Sequence, residues 1–185
     1  MDSDERLFQR FAAGDRAALG ELAGRYEVAL LNLAVPLVGS RELAMDAVRE
    51  TWLRVIRYAG SFNGRSSLKT WLYRIAINQC RSARAASSSG APATETEPEA
   101  QARGSRDDLT SYKEDPTHET VRKEDSELLK QAVEQLPPDQ REAILLCYMQ
   151  GLTHTEAAES LEIPIGTLKS RIHAALEQLR AKVKP

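Results

Sequence analysis

The chain has 185 residues, with 25 Lys and Arg against 27 Asp and Glu, a formal charge of −2. That length admits one ordinary domain or two small ones. The near-neutral total would argue against a polyanion partner, but the charge is segregated along the chain. Residues 1–50 hold nine acids and six bases, and 51–84 hold seven bases and no acid. Residues 85–120 then hold eight acids and three bases, and 121–185 ten acids and nine bases.

Only Cys80 and Cys147 are present, far apart and without C-x-x-C spacing, so neither a disulfide framework nor a zinc site is indicated. No metal and no cofactor are expected. No apolar run reaches the ~18 residues of a membrane span. The acidic start (Asp2, Asp4, Glu5) is unlike a signal peptide, so the expectation is a cytoplasmic protein with no membrane insertion.

From Leu7 to Arg84 the apolar residues recur at helical spacing. Leu7, Phe8 and Phe11 are followed by Leu19, Leu22, Tyr26, Leu30 and Leu33, and Pro36 and Gly39 punctuate the run. Ser40 is the predicted N-cap of a helix carrying Ala44, Val48, Trp52, Val55 and Ile56 on one face. Gly60 to Gly64 reads as a loop. A further helix places Leu68, Trp71, Leu72, Ile75 and Ala76 inside. No period-2 alternation interrupts this pattern, so the fold class is all-α.

Residues 85–120 are dominated by small, Pro, Gly and acidic side chains and hold almost nothing that could form a core. Such a segment is too long for a connection inside one compact domain. The predicted organisation is therefore a helical domain over 1–85, a flexible acidic linker over 86–120, and a second small helical domain over 121–185. In the second, Ser126 to Gln135 carries Leu128, Leu129, Ala132, Val133 and, just beyond, Leu136. Pro137-Pro138-Asp139 starts the next helix, which runs through Ile144, Leu145 and Tyr148 to Gly151.

Two short helices close the chain. Thr153 and Glu156 have the spacing of a capping box, and Ala157, Ala158 and Leu161 form the apolar stripe behind it. Glu162-Ile163-Pro164 breaks that helix, and Pro164 suits the first turn of another. Leu168, Ile172, Leu176 and Leu179 then face a core, while Thr167, Ser170, Arg171 and Ala174 point elsewhere, flanked by Lys169 and His173. This is a helix-turn-helix pattern, whose second helix can enter a DNA major groove. The alternative is an αα-hairpin with solvated basic residues.

The acid-free block supplies a second nucleic-acid signal. Arg54, Arg57, Arg65, Lys69, Arg74, Arg81 and Arg84 alternate with Trp52, Tyr58, Phe62, Trp71 and Tyr73. Cations that neutralise phosphates beside aromatics that stack on bases suit single-stranded nucleic acid. Trp52 and Trp71 lie on apolar faces and read as core. Asn63, Arg65, Ser66 and Lys69 sit in a loop and at a helix start, where polar groups hold phosphates or bases. A merely solvated loop is the competing reading.

The run DAVRETWLRVIRYAGSFNGRSSLKTWLYRIAINQCRSAR resembles the second conserved region of bacterial sigma factors, and Leu136 to Val183 resembles their fourth. With a linker between them and no third domain, the layout resembles the extracytoplasmic-function (ECF) group. The resemblance implies a promoter-specificity subunit that binds core RNA polymerase and promoter DNA and promotes transcription initiation, with no enzymatic chemistry of its own. It implies that helix 41–58 docks on the β′ clamp helices through Asp46, Arg49, Glu50 and Arg54, with the β flap as a further polymerase contact.

By the same resemblance, Asn63, Arg65, Ser66, Lys69, Tyr73, Asn78 and Arg81 serve the −10 element. Thr167, Lys169, Ser170, Arg171 and His173 serve the −35 element. Arg171 is the expected direct base reader, since guanidinium pairs bidentately with guanine, and Lys169 the expected phosphate contact. The acidic linker is expected to thread through the polymerase, and an anti-sigma factor is an expected partner.

The chain departs from the family where Arg49 replaces a frequent Gln, and where Ser82 and Ala85 replace frequent Asp and Arg. A stand-alone helix-turn-helix regulator and a helical protein-interaction module are the alternatives. The basic, aromatic block disfavours the first, and Arg171 with Lys169 on one face disfavours the second. His118, His154 and His173 sit in no catalytic arrangement.

Overall fold

A computed structural model of the chain describes residues 2–89 and 123–183. The predicted linker lies almost wholly outside the described residues, as does His118. No strand occurs among the described residues, and the all-α class holds.

Four helices form the N-terminal group: α1 (Asp4–Ala12), α2 (Arg16–Val38), α3 (Arg41–Arg57) and α4 (Leu68–Ser89). Side-chain oxygens start the first three. Ser3 accepts from the Arg6 amide, Asp15 from that of Ala17, and Ser40 from that of Leu43, which relieves amides the helix itself leaves unpaired. Leu7, Phe8, Leu22, Leu30, Leu33 and Leu37 are buried with Leu68, Leu72 and Ile75 in the core between them.

Pro36 does not interrupt α2 as expected from the sequence: the helix runs through it. A proline in the last turn removes only one late hydrogen bond, and the helix stops at Gly39, whose φ of 76° suits the left-handed region. Ile56, expected inside, is 47% exposed, because Val48, Thr51 and Val55 already fill the inner side of α3. The helix α4 continues to Ser89, past the expected boundary at 85. Ala85 and Ala86 favour helix, and the Ser87 and Ser88 hydroxyls donate back to the Arg84 and Ala85 carbonyls.

The C-terminal group contains α5 (Lys123–Glu134), α6 (Pro138–Ile144), α7 (His154–Leu161) and α8 (Ile165–Val183). Between α6 and α7 the chain widens into a π-helical turn over Leu145–Met149. The expected single helix through Tyr148 thus changes form at Leu145, and Tyr148 and Met149 stand exposed at the end of the turn. Leu128 and Leu129 are likewise exposed, and among the described side chains Ala132 and Val133 of α5, with Leu136 just beyond it, are the buried ones. The predicted stripe of α7 is buried, and so are Leu168, Ile172 and Leu179 of α8, with Leu176 half-buried beside them.

The two groups pack on one another, chiefly α4 against α7 and the C-terminal end of α2 against α5 and α6. Arg141 is a joint between them. One of its Nη atoms donates to the Pro36 carbonyl at 2.8 Å, and the other to the carbonyls of Leu136 (2.9 Å) and Glu134. Burial lowers the pKa of its guanidinium, yet that group remains cationic because its ordinary value is so high.

Candidate nucleic-acid interface

The last two helices are held rigidly from behind. Thr153 Oγ1 accepts from the Glu156 amide at 3.2 Å while the Glu156 carboxylate accepts from the Thr153 amide at 2.9 Å, so the predicted capping box is formed. Glu162 ends α7 in the left-handed region (φ 57°), an uncommon place for a residue with a side chain, and turns the chain into α8. With Leu168, Ile172, Ala175 and Leu179 facing inward, Lys169, Ser170 and His173 stand exposed and Thr167 half-buried beside them.

Ser170 Oγ donates to the Thr167 carbonyl (2.9 Å), and His173 Nε2 lies 3.5 Å from Glu177. Arg171 differs from its neighbours. Its side chain is mostly covered, with Nε 3.3 Å from Asp139 of α6. Asp139 was not anticipated from the sequence, because helical spacing on α8 says nothing about a residue on α6.

The loop between α3 and α4 is anchored by aromatic rings. Phe62 packs edge-on against Phe8 (5.2 Å between centroids) and tilted against Trp71 (5.3 Å). Trp71 is buried and Trp52 half-buried, as their reading as core residues requires. Beyond this anchor Asn63 and Arg65 are exposed and Ser66 half-buried. Asn63 Oδ1 accepts from the Arg65 amide at 3.1 Å, and Gly64 adopts φ 70°. Ser67 Oγ then accepts from the Thr70 amide (3.1 Å) and starts α4.

The other −10 candidates lie along α4 and point to the C-terminal group. Lys69 Nζ donates to the Gln150 carbonyl at 2.9 Å, and the Tyr73 hydroxyl donates to Gln150 Oε1 at 2.8 Å. Arg81 spans Glu142 with Nε at 3.0 Å and Nη2 at 2.6 Å, while its Nη1 reaches Asn78 Oδ1 at 3.4 Å. The Glu142 carboxylate raises the Arg81 pKa further above its usual value. Tyr73 is 1% exposed, and burial pushes its hydroxyl up to about 12. Thr70, Tyr73, Ile77 and Cys80 form a second buried stripe on α4 that sequence reading missed. Its signal was there: spacings of three and four, displaced around the helix from Leu68, Leu72 and Ile75.

On α3 the polymerase candidates differ in exposure. Asp46 and Arg49 are exposed and paired at 2.8 Å, while Arg54 Nε sits 3.5 Å from Glu50 with its side chain mostly buried. Met45, Leu53 and Ile56 are exposed apolar residues within a narrow arc around Arg49, on the side away from Ala44, Val48 and Val55.

Residues 22–89 match the family model for sigma-70 region 2, and residues 126–179 that for sigma-70 region 4. The RNA polymerase sigma-H factor of Pseudomonas aeruginosa is 31% identical over 185 residues, covering 100% of this chain and 96% of its own. The chain belongs to the ECF RNA polymerase sigma factors. The ECF sigma-E factor of Escherichia coli strain K12 is 32% identical over 184 residues, 99% of this chain and 95% of its own.

Among solved structures, the sigma factor RpoE of Bartonella quintana, crystallised with the anti-sigma factor NepR, matches with a TM-score of 0.59 and 25% identity. That match covers 88% of this chain and 96% of RpoE. CnrH, solved with the cytosolic domain of CnrY, matches with a TM-score of 0.69 and 22% identity over 97% of this chain and 96% of that one, a likeness of fold.

As an ECF sigma factor, the protein serves transcription initiation, and its family is in general not enzymatic. No helix among the described residues is long and apolar enough to cross a membrane.

Proposed function

We propose that residues 1–85 and 121–185 divide promoter recognition between them, with 86–120 as the acidic tether. The observation that carries this is the outward face of α8: Lys169, Ser170 and His173 exposed on the second helix of a helix-turn-helix whose first helix is capped. In this reading α8 enters the major groove at the −35 element, with Thr167, Ser170 and His173 near base edges and Lys169 on a phosphate. Arg171 reads guanine through its Nη pair while Asp139 holds Nε, which keeps the planar fork aligned.

The loop carrying Asn63, Arg65 and Ser66 takes an unstacked base of the −10 element. Lys69, Tyr73, Asn78 and Arg81 follow the single strand along α4. Core polymerase docks on α3 at Asp46, Arg49, Glu50 and Arg54, and Met45, Leu53 and Ile56 add an apolar centre to that contact. The chain acts in the cytoplasm and catalyses nothing itself, and an anti-sigma factor, the kind of partner bound to RpoE in its solved complex, regulates it.

Reconstitution tests this. Purified chain added to core polymerase and a library of promoter fragments is expected to give transcripts from a restricted set of start sites. Absence of both polymerase binding and start-site selection refutes the assignment.

A further inference from the structure

The loop that carries Asn63, Arg65 and Ser66 is fixed at both ends. At its far end Ser67 Oγ accepts from the Thr70 amide at 3.1 Å and lies 2.8 Å from the Thr70 hydroxyl, which joins it to the first turn of α4. At its near end Ser61 Oγ donates to the Tyr58 carbonyl at 2.8 Å. Phe62 then forms a triangle of rings with Phe8 and Trp71, the centroids 5.2, 5.3 and 5.5 Å apart. Trp71 belongs to α4, the helix into which the loop runs. Phe8 comes from elsewhere, the helix α1 that precedes the segment matched to region 2.

Polar ties hold α1 in place. The Asp4 carboxylate takes Arg25 Nη1 at 2.5 Å and the Tyr26 hydroxyl, while Arg10 bridges Asp2 at 2.8 Å and Asp15 at 2.7 Å. Between these ties Leu7 and Phe8 are buried, at 0% and 1% exposure. A pinned helix thus presents one ring on which the loop rests.

From this we infer that α1 sets base selection at the −10 element: Phe8 is a positioning residue that, through Phe62, holds the loop in its base-accepting form. The inference rests on the −10 reading of the loop given above. Asn63 and Arg65 are exposed, and among the described residues they bond only to each other, so their placement is inherited from the backbone at Phe62 and Ser67. Reading a base needs donors and acceptors held within about 0.5 Å. Neutralising a phosphate tolerates more displacement, because charge attraction falls slowly with distance. Loosening Phe62 therefore removes discrimination between bases before it removes binding. The Phe8 and Phe62 planes meet at 79°, an edge-on geometry that an aliphatic side chain cannot supply.

The test uses the full chain assembled with core polymerase on a promoter pool randomised at the −10 and −35 positions, each promoter carrying a transcribed barcode. Base ratios within one pool report selection and do not depend on how much protein is folded. Phe8→Leu keeps an apolar side chain and removes the ring. It is expected to flatten the −10 ratios about fivefold, the equivalent of one ring pair, and to leave the −35 ratios as in wild type. Phe62→Leu is expected to flatten them at least as far, and the double variant no further than Phe62→Leu alone. Asp4→Ala leaves the aromatic cluster itself intact; it is expected to act in the same direction more weakly, and it serves if Phe8→Leu does not fold.

Unchanged −10 ratios with folded Phe8→Leu, or with Asp4→Ala where Phe8→Leu does not fold, overturn the proposal and leave Phe8 as core packing. Equal flattening at −10 and −35 overturns it as well, since the effect is then not the loop's. An additive double variant overturns the route through Phe62. Asn63→Ala and Arg65→Ala separate the readings. If they flatten the −10 ratios while Phe8→Leu does not, only the role of α1 is lost; if they do not, the −10 assignment of the loop falls and the inference with it.

Discussion

Two side chains on one helix face can contact DNA in different ways, and Arg171 and Lys169 are such a pair. Arg171 has its Nε tied to Asp139, whereas Lys169 is an exposed ammonium. A tied, planar donor suits base readout and a mobile point charge suits phosphate. Arg171→Ala is therefore expected to cost about 1–3 kcal/mol at one base position and erase the preference there. Lys169→Ala should weaken all sequences alike and lower the salt slope of binding by about one. Competition binding on single-base variants of a −35 site distinguishes them, and uniform weakening by Arg171→Ala would move that residue to phosphate.

The cysteines make a separate residue-scale case. Burial, aided by the nearby Glu142 charge, pushes the Cys80 thiol up to about 12, and burial pushes Cys147 up to about 11. At pH 8 only about one Cys147 in a thousand is thiolate. Neither thiol should react with a disulfide reagent at the rate of a free cysteine until the chain is denatured. Because the folded state favours the protonated thiol, its contribution to stability is full below the unfolded pKa, roughly 8.5, and is lost as pH climbs towards 12. Fast labelling of native Cys80 at pH 8 would contradict its burial.

At the scale of the element, the helix-turn-helix depends on how α7 begins. Thr153 and Glu156 satisfy each other's amides there, and α7 in turn fixes the turn at Glu162 from which α8 departs. Thr153→Ala is expected to cost about 1 kcal/mol in urea unfolding, with duplex binding weakened while single-strand binding is not. This element was legible in the sequence because capping and turn chemistry are local.

The errors arose where location in the chain and location in space part company. Ile56, Leu128 and Leu129 fit a helical stripe, but among the described residues they stand exposed rather than packed. Pro36 looked like a stop because a proline's effect depends on how many turns remain after it.

At the scale of the molecule, one interface was invisible beforehand. Every partner of α4 in the C-terminal domain is more than sixty residues away, and no periodicity encodes which residue meets which across that separation. The family and its two regions were readable from short local runs, and the second buried face of α4 was present as spacing without a reason to exist. Asn63 and Arg65 in the loop and Lys169, Ser170 and His173 on α8 are exposed, while Ser66, Thr167 and Arg171 are half-buried. For Tyr73 and Arg81, only the assembled chain reveals what they touch.

Arg141 closes a bond to the Pro36 carbonyl across 105 positions of chain. The ribosome adds about 5–20 residues per second, so that stretch takes roughly 5–20 s to make. During that interval α2 is made without its late partner, and α4, once made, waits for Glu142, Gln150 and Ser160. A nascent chain thus displays to the cell the very face that the finished one folds away. Lys69, Arg74 and Arg81 fringe that face with positive charge, and like charges there oppose the pairing of half-made copies on one polysome.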